Sequence, residues 1–257
     1  MKPNSRIQQI GIDRIVRLEW LERTAQLALA GNHPSTVKQN MLEYLATSFP
    51  TSDPSVRGSL AKTVTILMNV WLSGPKELAS LRKGGLELLR IKSGGDRLAI
   101  HWAALMATYP FWSAVAGQVG RLLRLQETIT AEQVQRRICE KYGERESVFR
   151  RVRYVLRSFI AWGVLRETET KGIYRRGLSF SIDDPKLIAW MIEAALHANA
   201  NGSTRLADLL ESTSLFPFRM KRTATESILM ASPRIECIRH NMDDELVTRK
   251  HRLTSKG

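Results

Sequence analysis

The sequence predicts a mainly α-helical protein: an N-terminal helical domain followed by one or two smaller modules of helices and a short β-hairpin. Three observations predict it. Apolar residues recur at helical spacing through the first 110 residues, proline and glycine punctuate them at helix-length intervals, and β-prone runs around polar turns begin only after residue 160. A chain of 257 residues has room for two or three such domains. Its 43% hydrophobic and 25% charged side chains are the balance of a folded rather than a disordered protein.

Taken in order, Ile12, Ile15, Val16, Leu18, Trp20, Leu21, Leu27 and Leu29 predict a first helix that Gly31 closes. Ser35 or Thr36 opens a second, with Val37, Met41, Leu42 and Leu45 on its apolar face. Asp53-Pro54 pairs a cap with a proline at the first helical position and starts a third, to about Leu72. Gly74-Pro75 repeats the device for a fourth, to about Ile91, and residues 93–96 form a loop and cap. Residues 98–120 contain no Asp, Glu, Lys or Arg, a length that could cross a bilayer. Tyr109-Pro110 splits the run, however, so two buried core helices are expected and no membrane partner. Residues 1–110 are taken as the helical domain.

Residues 111–180 read differently. Val115, Val119, Leu122 and Leu123 share one helical face. Thr130 with Gln133 forms a capping box, and the helix it starts carries Val134, Ile138 and Tyr142 before Gly143. A third helix spans about residues 146–162, with Gly163 beyond it. Residues 164–168 and 173–176 then flank a polar turn containing Gly172, which reads as a hairpin. Three helices and a two-stranded ribbon resemble the winged helix-turn-helix family of DNA-binding proteins. In residues 183–250 a similar order follows: a helix over 186–198, a short helix capped by Thr204, a third helix from Phe216 or Arg219 to Ala231, and a hairpin around residues 242–244. That region is either a second winged-helix-like module or a helical tail with a hairpin. Residues 251–257 read as a flexible tail.

Charge supplies the functional expectation. There are 39 basic and 25 acidic side chains, a net +14 that makes a polyanion the default partner. From Arg121 to Gly177 there are 14 Lys or Arg against 7 Asp or Glu, so half of the net charge falls in one module. On its third helix Val148, Val152, Val155 and Phe159 fall on one side, and Arg150, Arg153 and Arg157 on the other. No acid intervenes between Arg150 and Trp162, and the repulsion among three guanidiniums would be relieved by phosphate. Arg145, Arg151 and Tyr154 flank that face; Lys171, Arg175 and Arg176 lie on the hairpin, and Arg136, Arg137 and Lys141 on the preceding helix. Arg219, Lys221 and Arg222 are candidates at the start of the last expected helix, where free backbone N–H groups favour anions. An arginine-rich face with Ser158 as its one small polar neighbour points to backbone binding of double-stranded DNA with weak sequence preference.

Other chemistry finds little footing. The five histidines have no metal-ligand spacing, and Cys139 and Cys237 make neither a zinc site nor a disulfide framework. No phosphate-binding glycine loop is present, and the paired acids lie in turns. The expectation is a non-enzymatic, cofactor-free protein; residues 1–6 carry no apolar signal core, which argues for a cytoplasmic location. The succession of a basic helical half, residues 101–105, Tyr109-Pro110-Phe111 and Val115 to Leu123 also resembles BrxA, the helical accessory protein of bacterial BREX phage-defence systems. The resemblance covers about residues 10–165 and implies DNA binding inside a multi-protein defence complex. A sequence-specific winged-helix regulator, homodimeric on its operator, and a protein-interaction scaffold are the competing readings.

Overall fold

Residues 5–49, 54–199, 201–221, 224–241 and 244–250 are described by the structure, a computed structural model. A short α1 (Ser5–Gln8) leads into a non-helical segment and then α2 (Leu18–Leu29). The helical spacing of Ile12, Ile15 and Val16 is therefore not a helix. Val16 donates its N–H to Ser158 Oγ (2.9 Å) and accepts from the Trp162 indole (2.9 Å), so its backbone groups are committed to a distant helix. Ile12 and Val16 are buried nonetheless.

The next elements follow the expected order, with two starts displaced: His33 rather than Ser35 or Thr36 caps the second expected helix, and residues 94–96, expected as loop and cap, are already helical. These elements are α3 (Pro34–Ala46), with the His33 ring at its cap, and α4 (Pro54–Met68), prolonged by a π turn at Asn69–Ser73. A 3₁₀ turn (Lys76–Leu78) and α5 (Ala79–Ile91) come next, then α6 (Gly94–Thr108) and α7 (Pro110–Leu125). The helix break at Tyr109-Pro110 is where the proline requires it. Among the described residues no helix is long and apolar enough to cross a membrane.

The second half interleaves strands. β1 (Thr128–Thr130), α8 (Ala131–Tyr142) and α9 (Glu146–Ala161) precede β2 (Leu165–Glu167) and β3 (Ile173–Arg176). The capping box forms as expected: Gln133 N–H donates to Thr130 Oγ1 (3.1 Å), and Thr130 N–H donates to Gln133 Oε1 (2.9 Å). β1 is a strand that sequence patterning missed, as are Phe180–Ile182, Ser203–Arg205 and Phe218–Met220 further on. β1 pairs antiparallel with β3, giving a sheet ordered β1-β3-β2.

After β4 (Phe180–Ile182) come α10 (Pro185–Ala198), β5 (Ser203–Arg205), α11 (Leu206–Leu210) and a 3₁₀ turn (Thr213–Leu215). β6 (Phe218–Met220), α12 (Thr225–Ala231), β7 (Ile235–Asn241) and β8 (Asp244–Arg249) complete the described chain. Two expectations fail here. Thr204 sits in β5 rather than capping a helix, and the helix expected from Phe216 or Arg219 is replaced by β6 and the seven-residue α12. Parallel pairing with β4 holds residues 218–220 extended, a long-range effect invisible to local propensity. The third sheet is ordered β5-β8-β7, which repeats β1-β3-β2: the early strand again lies beside the second strand of the hairpin.

One hydrophobic core runs from Ile12 to Val247 through every region. Its centre is Trp102 on α6, fully buried. Its ring meets those of Trp112, Phe159, Trp162, Phe216 and Phe218 at centroid distances of 4.8–5.9 Å, and its indole donates to the Ser214 carbonyl (3.0 Å). Side chains from three helices and from the 216–218 segment thus share one aromatic cluster. Close backbone approach locks the same junction, since a Cβ on Gly120 of α7 would lie 2.0 Å from the Thr213 carbonyl oxygen.

Candidate nucleic-acid interface

The arginine helix has the two faces its sequence implies. Val148, Val152, Val155, Leu156 and Phe159 of α9 are buried, while Arg150, Arg153 and Arg157 are exposed and Arg151 is half-buried. Spaced three and four residues apart, the three exposed guanidiniums are neighbours on the helix surface. Among the described residues none of the three has a hydrogen-bond or ion-pair partner. Every exposed like-charge neighbour at this spacing disfavours the folded helix by about 0.2–0.5 kcal/mol. A polyanion laid along the row would reverse the sign of that interaction.

The hairpin stands close to this row. Tyr174 on β3 is buried and pairs in register with Glu167. Burial and Glu167 push its hydroxyl above the usual tyrosine range, while Arg157 and Arg153 oppose the rise, so both guanidiniums are felt at the strand. Gly172 (φ +83°) makes the turn, and its N–H donates to Glu167 Oε1 (3.1 Å). Lys171 is exposed at that turn and Arg175 on the strand. Arg166 of β2, which sequence patterning did not single out, lies directly across from Arg175 in the antiparallel register and is exposed too. Two cations facing each other across strands repel, as on the helix. Only the pairing register reveals this; the composition of residues 164–168 does not.

Other candidates fall in different places. Arg176 is not presented to a ligand: its guanidinium donates to the Phe216 carbonyl (3.0 Å) and the Leu123 carbonyl (3.3 Å), bracing the hairpin against the C-terminal region. Burial, then Arg219 and Arg124, hold its pKa below the ordinary arginine value. Ser158 is not on the exposed face. It is fully buried, bonded to the Val16 N–H and to the Tyr154 carbonyl (2.9 Å). Tyr154 is half-buried and turns toward α2 and α4, sharing a cavity with Arg14 and Trp20.

On α8, Arg136 and Arg137 are exposed, Arg137 lies 3.7 Å from Glu140, and Lys141 sits 5.5 Å from the Tyr142 ring. These are solvated charges beside the row. Arg145 caps no helix with its side chain and donates to the Tyr142 carbonyl (3.0 Å). Arg219 is exposed on β6, in register with Ser181, so the free N–H groups of a helix start are not there to help it. The Lys221 N–H donates to the Ile182 carbonyl (2.9 Å). Arg222 lies outside the described residues. Among the described residues no group of three or more His, Cys, Asp or Glu could hold a metal ion.

Compared with family models, with curated proteins and with solved structures, the chain matches none.

Proposed function

We propose that this protein binds double-stranded DNA through the sugar–phosphate backbone, using α9 and the β2–β3 hairpin as a winged helix-turn-helix surface. One observation carries the reading: Arg150, Arg153 and Arg157 form an exposed row without partners among the described residues, on a helix whose other face is anchored in the core. The order helix, strand, helix, helix, hairpin with sheet order β1-β3-β2 supports the winged-helix assignment. Exposed arginines without Asn or Gln among them favour phosphate over base-edge contacts. The resemblance to BrxA favours action inside a phage-defence or DNA-processing assembly, without catalysis or cofactor, over solitary gene regulation.

The test is a binding titration on unrelated duplex sequences at several salt concentrations. Affinities should agree within a few-fold between sequences, and log K should fall against log salt with a slope of about −0.9 per phosphate contacted. Changing Arg150, Arg153 and Arg157 together to glutamate should weaken binding by on the order of 100-fold and flatten that slope. A flat salt dependence in the unaltered protein removes the reading, and strong preference for one sequence replaces it with the regulator.

A further inference from the structure

Beside the arginine row, and sharing a helix with it, is a cavity of about 220 Å³. Tyr154, the residue four after Arg150 and three before Arg157, forms one wall; Trp20 of α2 and Phe49, just beyond α3, form another. The Trp20 and Phe49 rings lie 6.1 Å apart, and the Arg17 guanidinium sits 5.4 Å from the Trp20 ring. Arg14 also lines the cavity. Its Nε is buried and finds no acceptor among the described residues, although Nη1 reaches Asp13 Oδ2 at 3.4 Å. Arg17 Nη1 likewise lies 3.6 Å from Glu19 Oε1, so each cavity arginine has one carboxylate beside it and further N–H groups to donate.

Size and lining together narrow the ligand. Sites for drug-sized molecules run to about 300–1,000 Å³, so this cavity has room for one ring system and little more. Three aromatic side chains offer stacking or edge contact, and the two arginines set cations at the cavity for an anionic substituent. A nucleobase with its phosphate matches both features, and every base has a π-face. We propose that the cavity receives a single unstacked base from an end, gap or fork of a duplex held on the arginine row. The proposal rests on the DNA-binding reading and extends it to the structural form of the DNA.

The experiment compares a blunt duplex with the same duplex carrying a short single-stranded overhang that contains 2-aminopurine. The intact protein should bind the overhang form about tenfold more tightly, the range expected for one stacked base, with a change in 2-aminopurine emission. Ser48 lines the cavity and is exposed, so Ser48→Trp should plug the opening without disturbing the core. Phe49→Ala removes a wall instead. Each should bring the overhang form down to the blunt affinity and leave the blunt affinity unchanged. Equal affinities in the intact protein, or a preference that survives both substitutions, overturns the proposal. If neither duplex binds, the arginine-row reading has failed and the cavity is read alone, by titrating the free 2-aminopurine deoxynucleotide. Quenching abolished by Ser48→Trp then sustains the cavity assignment, and its absence overturns it.

Discussion

The two strand-and-hairpin units share a plan and differ in charge. Each places helices between an early strand and a hairpin, and pairs that strand with the hairpin's second strand. In the first unit the helix before the hairpin is α9, 16 residues long with four arginines. In the second it is α12, with seven residues and no cation, and its Met230 is 88% exposed. Residues 121–177 carry 14 basic and 7 acidic side chains, whereas residues 183–250 carry 9 and 10. Architecture alone therefore assigns no ligand; the side chains placed on it do. On the proposed reading the first unit is the one that meets the polyanion. The second, near-neutral and bound into the core through Phe216 and Phe218, is better suited to bracing the first.

The comparison breaks most completely at the point where the units meet. Trp102→Ala removes the ring that both units pack on and should destabilise the protein by about 3–5 kcal/mol, read as a single lowered transition in chemical denaturation. Two separated transitions would mean that the units fold independently. Next in size is the charge reversal of Arg150, Arg153 and Arg157. Its loss of affinity, on the order of 100-fold or about 2.7 kcal/mol, should leave the thermal midpoint nearly unchanged, because all three are exposed. Gly120→Ala should cost about 1–3 kcal/mol by forcing α7 away from residues 213–216. It should also weaken DNA binding if bracing by the second unit matters. Smallest is Met230→Arg, which adds an exposed cation to α12: duplex affinity should change by less than about threefold if position, and not bulk charge, decides binding.

Acid should act on the bracing side. Burial, then the charges of Arg249, Arg6 and Arg234, pull the His197 pKa from 6.5 down to about 3. Between those values the unfolded chain binds the proton and the folded chain does not, so stability falls as pH drops from 6.5 toward 3. Glu22, held at about 2 chiefly by its hydrogen bond to His101, adds a loss as pH falls from 4.5 toward 2. Denaturation midpoints measured over this range should decline, and His197→Gln should flatten the upper part of the decline.

Local signals were legible where a single helix suffices to express them. The capping box at Thr130, the break at Tyr109-Pro110 and the two faces of α9 depend on residues within a turn or two of one another, and the structure has each. The uncharged run of residues 98–120 was readable as two core helices for the same reason. What the tertiary structure alone decided involves partners far apart in the chain. Residues 12–16 are not helical, Val16 bonding instead to Ser158 and Trp162, and residues 218–220 are extended where they pair with β4. Arg176 became a strut because two carbonyls from distant segments converge on it, and Arg166 joined the basic surface through strand register. The cavity at Tyr154 required α2, α4 and α9 to meet. Periodicity and capping are encoded within a few residues, whereas pairing, register and cavities follow from which surfaces come together to bury the core, and that is settled only by the whole chain.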